Sequence, residues 1–417
     1  MSPEAAAARP PISSTAWRTI ICAALIVTVA MGVRQAFGLF MRPVSMDLDV
    51  GRQTFGMAIA ISNLVFGLAQ PFVGAWADRR GSGNIVFVGT IVYVAGLLLT
   101  TLVSGPIGLN LTFGFLVGLA LSGTTFVVVL GAVGRRVPAE RRSMAFGIVT
   151  AGGSLGQFLV VPAAQGALSA LDWKGALVVL AALTGAMALL ALGVSGKPAP
   201  DKAPAPGEAS EAGSLRVALG EASASRSFWL LNAGFFVCGF HIAFVATHLP
   251  AYLRDQGLSA SVGAWALALI GLFNIAGSWL WGAWGQGRSK KGLLAILYGL
   301  RAVTIAVFIA VPLSPLSVLV FASAFGFLWL GTVPLTSGLV GQIWGVRYLS
   351  TLYGIVFLSH QVGSFLGAWL AGLAFDATGS YQSMWWASIA LGLFAAVIHL
   401  PIDERPHVRA AQPLPAE

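Results

Sequence analysis

Arg34 has the clearest chemical potential in the chain. It stands in Gly32-Val33-Arg34-Gln35-Ala36-Phe37-Gly38-Leu39-Phe40-Met41-Arg42-Pro43, a cation inside an apolar run that begins near Trp17. Its planar guanidinium is a fork of donors that fits a carboxylate bidentately. All fifteen Asp and Glu fall in tails, loops or helix ends: Asp47, Asp49, Asp172, Asp255 and Asp376 on one side, the rest on the other. No carboxylate of the chain's own reaches Arg34's depth, so a bound anion is its natural counter-ion. Capping by backbone carbonyls at a broken helix, or by a neighbouring helix, is the structural alternative. The missing buried carboxylate also argues against a cationic cargo and removes the usual carboxylate proton relay.

A near-copy of the stretch lies 207 residues downstream, Gly239-Phe240-His241-Ile242-Ala243-Phe244 followed by Pro250, with His241 in the place of Arg34. His248 is seven residues further along the same helix, and His360 sits near the middle of the eleventh helix. Imidazoles titrate near neutrality, which makes His241, His248 and His360 proton-coupling candidates; interhelical hydrogen bonding is their simpler use. His241 and His360 are also read as substrate-binding, with His399 at the membrane interface. These spacings fit no metal motif. Cys22 and Cys238 read as small core residues, not as a disulfide or a metal pair. Neutral polar residues at mid-helix depth (Gln35, Asn63, Thr124, Thr125, Gln157, Asn274, Thr332 and Gln361) are weaker candidates, because polar groups in membranes commonly bond helix to helix.

The elements that must position these groups follow from composition. The 417 residues are 57% hydrophobic and 9% charged, against roughly a quarter charged in soluble domains. Continuous apolar runs longer than about 18 residues predict membrane helices. Their ranges are 17–42, 53–77, 84–104, 107–134, 143–168 and 174–195, then 228–253, 261–285, 292–311, 316–342, 349–374 and 383–401. Residues 1–16 and 402–417 read as cytoplasmic tails. Residues 196–227 read as a cytoplasmic linker between the halves 17–195 and 228–401, with a short amphipathic helix near Leu215–Ala222. Of the 24 Lys and Arg, nineteen fall to one side, four to the other, and Arg34 between. That bias places both termini in the cytoplasm. The +9 charge is thus topological, and nucleic acid is excluded as a partner. The first segment lacks a cleavage signal and reads as an uncleaved helix.

The halves repeat in parallel. Gly74-Ala75-Trp76 recurs as Gly282-Ala283-Trp284, Gly123-Thr124 as Gly331-Thr332, and Ser143, Gly147-Ile148-Val149 and Gly156 as Ser350, Gly354-Ile355-Val356 and Gly363, all displaced by 207 or 208 residues. Parallel six-helix repeats predict a substrate site at their interface near the bilayer midplane.

The span 17–401 resembles the major facilitator superfamily. The motif that carries the likeness is Gly74-x-x-x-Asp78-Arg79-x-Gly81, although Ser82 and Gly83 replace the basic residues that usually follow. Its C-terminal counterpart has Gln286 where Asp78 would stand, with Arg288, Lys290 and Lys291 nearby. A glycine-rich fifth helix (Gly147, Gly152, Gly153, Ser154, Gly156 and Pro162) adds to the likeness. Arg135-Arg136, the Arg141-Arg142-Ser143 run and the opening stretch are most similar to the monocarboxylate and oxalate/formate branch. The resemblance implies an all-α fold of two six-helix bundles, with helices 1, 4, 7 and 10 lining the cavity, which favours Thr124 and Thr332. It implies that Asp78 braces the start of helix 11 as a gate. In that branch a charged residue on helix 8 takes part in binding, where this chain offers only Asn274.

The expectation is a monomeric, twelve-helix secondary transporter of the inner membrane. It moves a small organic anion, a monocarboxylate, by alternating access, and leaves open whether protons accompany it. Arg34, His241, His360, Thr124, Thr332 and Asn274 would bind substrate. Neither cofactor nor enzymatic constellation is expected, and no nucleotide motif suggests direct ATP use. The alternatives are an exporter of neutral or amphipathic compounds with Arg34 structural, and a membrane sensor that binds ligand without moving it.

Overall fold

The computed structural model describes residues 12–195, 215–345 and 349–406. Twelve of its helices are long and apolar enough to cross a membrane. In the first half they are α1 Ser14–Asp47, α2 Arg52–Arg80, α3 Ser82–Thr100, α4 Pro106–Arg136, α5 Ala139–Ala170 and α6 Trp173–Val194. In the second they are α7 Arg226–Asp255, α8 Ala260–Gly287, α9 Lys290–Ala310, α10 Pro315–Trp344, α11 Leu349–Thr378 and α12 Gln382–His399. No strand occurs among the described residues. A short helix, Leu215–Ala224, precedes α7. Residues 196–214 of the expected linker, and most of both tails, lie outside the described residues.

Each half contains a very close helix crossing at an equivalent place in the repeat. A Cβ on Gly156 of α5 would lie 2.0 Å from the Thr28 carbonyl of α1; a Cβ on Gly363 of α11 would lie 2.0 Å from the Phe236 carbonyl of α7. Backbones approach this closely only where the side chain is absent, the usual device for helix pairs that lipid cannot drive together.

Several of the spans are interrupted, α6 among them at Ala186. α1 tightens into a 3-10 turn at Phe37–Phe40, immediately beyond Arg34 and Gln35, before resuming at Met41. α4 breaks at Thr125, where the backbone is extended (φ −113°, ψ −166°). α10 opens after Phe327 and resumes at Thr332. The α4 break directly follows Gly123-Thr124 and the α10 gap directly precedes Thr332 of the equivalent pair Gly331-Thr332, so the two lie about one turn apart in the repeat.

The halves meet along α1 and α7, α2 and α11, and α5 and α8. Hydrogen bonds that cross between them run from Arg52 with Asp255, Asp376 and Tyr381, through Gln361 with Asn63 and Gln157 with Leu267, to Asn274 with Ser154. Among the described residues they run from one end of the bundle, here termed the Arg52 end, to its middle; the other end is the Arg80 end.

Candidate functional site

Arg34 lines a small cavity between the halves. The walls are Arg34, Gln35, Phe37 and Gly38 of α1 and Ile59, Ser62 and Asn63 of α2, faced by Ile242, Ala243, Ala246 and Thr247 of α7 and Ser364 of α11. The turn that follows Gln35 places Phe37 and Gly38 on the same wall. The space is about 30 Å³, the room of roughly one water molecule. A carboxylate with a carbon chain would need the two walls to part.

The guanidinium makes one hydrogen bond among the described residues, from Nη2 to Asn63 Oδ1 at 2.5 Å. It also sits 5.6 Å from the centroid of the Phe66 ring. Asn63 is neutral, so among the described residues the positive charge has no counter-ion, and most of the guanidinium's five N–H donors have no acceptor there;. Arg34 and Asn63 lie at similar depths, about 20 Å from the end of α1 and about 17 Å from the start of α2 at 1.5 Å per residue. That shared depth is the sequence signal that could have paired them. Ser62, Thr247 and Ser364 are small hydroxyl residues in apolar helices and gave no such signal.

The neutral amides act as ties between helices. Gln35 Nε2 donates to Gln157 Oε1 (3.1 Å), and Gln157 Nε2 donates across the halves to the Leu267 carbonyl (2.8 Å). Gln361 Nε2 donates to the Asn63 carbonyl (2.7 Å). Asn274 donates to Ser154 Oγ (2.8 Å) while its oxygen accepts from Leu330 N at the α10 break (3.0 Å).

The remaining sequence candidates stand away from Arg34. His241 is fully buried and turned to α12, its Nε2 2.8 Å from the Ser388 carbonyl. His360 lies against Gln361 Oε1 (3.0 Å) and stacks on Phe357. His248 joins α7 to α11 and Tyr381 near the Arg52 end. His399, expected at the interface, is buried and stacked on Tyr298. Thr124 bonds the Ala120 carbonyl of its own helix, and Thr332 contacts Cys238 Sγ at 3.1 Å. The cavity is therefore lined by α1, α2, α7 and α11, with neither α4 nor α10. In the motif turn, Gly81 has φ 89°, a left-handed conformation that favours glycine, and its N–H closes α2 on the Ala77 carbonyl;. Gly74 lies within α2. The side chains of Asp78 and Arg79, and residues 346–348 ahead of α11, lie outside the described residues.

One buried cation was misplaced by sequence reading. Arg301 was grouped with the basic residues of one membrane side, but it sits in the middle of α9 and is 0% exposed. Its Nε and Nη2 donate to the Leu328 carbonyl (3.0 and 2.6 Å), and Nη2 also donates to that of Trp329 (2.5 Å). Its Nη1 lies 3.4 Å from Cys238 Sγ, and the guanidinium 5.3 Å from the Tyr298 ring. The carbonyls freed by the α10 break are thus what hold it. The main-chain capping weighed for Arg34 is realised at Arg301 instead. A lone arginine eleven residues into an apolar helix was the available signal.

The sequence model of the Major Facilitator Superfamily matches residues 23–368. The chain belongs to that superfamily. It is 26% identical over 376 residues to the uncharacterized MFS-type transporter YcxA of Bacillus subtilis (strain 168), covering 88% of this chain and 90% of that one. It is 26% identical to monocarboxylate transporter 13 of Rattus norvegicus over 386 residues (90% and 86%), and 23% identical to the oxalate:formate antiporter of Oxalobacter formigenes over 361 residues (85% and 84%). Among solved structures, a bacterial homolog of the human lysosomal transporter Spinster superposes with a TM-score of 0.71 at 18% identity, covering 91% of this chain and 95% of that one. A D-xylose-proton symporter superposes with a TM-score of 0.70 at 13% identity (93% and 98%). Like its superfamily, the protein is a multi-pass membrane transporter and not an enzyme.

Proposed function

We propose that this superfamily member carries a small organic anion, a monocarboxylate, by alternating access, with Arg34 as the group that receives its carboxylate. The observation that carries the reading is the guanidinium at a cavity between the halves, paired to a neutral amide and to no carboxylate. A charge so placed is costly in a bilayer and marks a substrate or ion pathway by default. Apolar Phe37, Ile59, Ile242 and Ala243 offer the anion's carbon chain a surface, while Ser62, Thr247 and Ser364 offer hydroxyls. Relatives named for monocarboxylates, and for oxalate and formate, support the same class. The positive-inside bias sets the Arg52 end outward and both termini in the cytoplasm of the inner membrane, and a single chain, with halves joined through 196–227, contains the whole site.

The experiment is a thermal-shift panel of formate, acetate, lactate, pyruvate and oxalate on purified protein, followed by counterflow of the stabilising anion in proteoliposomes. Wild-type protein should be stabilised and should exchange the anion. Arg34→Gln should keep its unliganded melting temperature and lose both responses. Counterflow at the wild-type rate by Arg34→Gln would refute the assignment.

A further inference from the structure

The Arg52 end is fastened by a chain of hydrogen bonds that starts in one half and ends on a buried histidine in the other. Arg52 forks onto Asp255 (2.5 and 2.7 Å) and lays its guanidinium 3.7 Å from the centroid of the Phe375 ring. Its Nη1 also donates to Tyr381 Oη at 3.0 Å. Tyr381 Oη is in turn 3.0 Å from Nδ1 of His248, whose Nε2 is 2.7 Å from the Ala368 carbonyl of α11. A carbonyl only accepts, so Nε2 carries the hydrogen, and Nδ1 of the neutral ring must accept from the phenol. Each link therefore has one direction: guanidinium to phenol, phenol to imidazole, imidazole to α11.

A proton added at Nδ1 reverses the middle link. The ring then donates to Tyr381 Oη, and the phenol's own hydrogen is left with Met41 Sδ, 3.9 Å away and a weak acceptor;. The imidazolium and the Arg52 guanidinium would then address the same oxygen with like charges. Asp255 is taken up by the Arg52 fork, and Asp376 by the Arg52 and Gln53 backbone N–H groups (2.9 and 2.8 Å) that open α2. Tyr252 packs edge-on to Tyr381 from α7, and Phe244, Phe375 and Trp385 complete the surroundings. Tyr381 and Arg52 are thus the titratable and charged groups that the ring faces.

We propose that His248 is a proton-binding site that ties the Arg52 end to pH: neutral, it positions Tyr381 to hold Arg52, and protonated, it releases α2 from α7 and α11. The effect requires no substrate, so it stands or falls separately from the anion reading.

Hydrogen–deuterium exchange of the full-length protein tests it, on the peptide that opens α2, between pH 8 and pH 5 and corrected for the intrinsic exchange rate. Coupling of one proton to opening predicts that wild-type protection falls by up to about tenfold per pH unit. His248→Gln should show no slope. Tyr381→Phe, which keeps the histidine but removes the hydroxyl between it and Arg52, should show none either, and decides the matter if His248→Gln does not fold. Asp255→Asn should lower protection at every pH and keep the wild-type slope, which separates histidine from carboxylate titration. A flat wild-type profile, or a wild-type slope in His248→Gln or Tyr381→Phe, would overturn the proposal.

Discussion

Removing the Arg301 side chain should damage the fold of the C-terminal half rather than its ligand chemistry. Three hydrogen bonds from this side chain end on two carbonyls, of Leu328 and Trp329, that lost their helical partners when α10 broke. A buried polar group left unsatisfied costs about 1–3 kcal/mol, giving roughly 2–6 kcal/mol for two. Hydrogen bonds measured inside membrane proteins fall at the weak end, about 0.6 kcal/mol on average and 1.7 at most, because the unfolded chain in lipid also finds partners. An expected loss of about 2–4 kcal/mol reconciles the two ranges. Thermal unfolding in detergent should show Arg301→Ala melting several degrees below wild type, with Arg301→Lys between them because one ammonium cannot follow the planar fork. Arg301→Ala with a wild-type melting temperature would show that the α10 carbonyls do not depend on it, and the division of labour between the two arginines would be refuted.

Two further changes probe the contact between the halves. Gly38→Ala places a methyl group 2.1 Å from the Ala246 carbonyl, so α1 and α7 should no longer close on each other; exchange at the start of α2 should rise and counterflow should fall, and unchanged values of both would remove Gly38 from the closing contact. Asn274→Ala should lower the melting temperature more than Ser154→Ala does, because Asn274 alone also holds Leu330 N at the α10 break; a double-mutant cycle should return a coupling of about 0.6 kcal/mol, and zero coupling would mean that the Asn274–Ser154 hydrogen bond contributes nothing.

The scaffold was legible because its signals are long. Apolar runs, the lopsided Lys and Arg, and glycines repeated at 207 or 208 residues each depend on many positions, and two of the repeated pairs, Gly32 with Gly239 and Gly156 with Gly363, turn out to be where backbones cross. The site was less legible, because a helix carries no mark of which neighbour its polar face meets. Arg34 stood out by charge alone. His241, its repeat equivalent, is turned to Ser388 of α12 instead of toward α1. Thr124 and Thr332 were favoured because the resemblance puts helices 4 and 10 on the cavity, whereas both residues stand beside the breaks in α4 and α10, away from the Arg34 cavity. Arg301 escaped notice because the count by membrane side assigns every basic residue except Arg34 to a surface. Ser62, Thr247 and Ser364 join the site only through the packing of four helices, which no single stretch encodes.

The paired interruptions in α4 and α10 have a mechanical corollary. An unbroken helix bends as one rod, whereas one with missing turns yields at the gap. Each bundle therefore carries a joint within about one turn of the same depth, and a tilt imposed on one segment is absorbed there before it reaches the other. Arg301 and Asn274 brace that joint in the C-terminal bundle from neighbouring helices, whereas the hydroxyls of Thr124 and Thr125 take up the Ala120 and Leu121 carbonyls at the α4 joint from within the same helix.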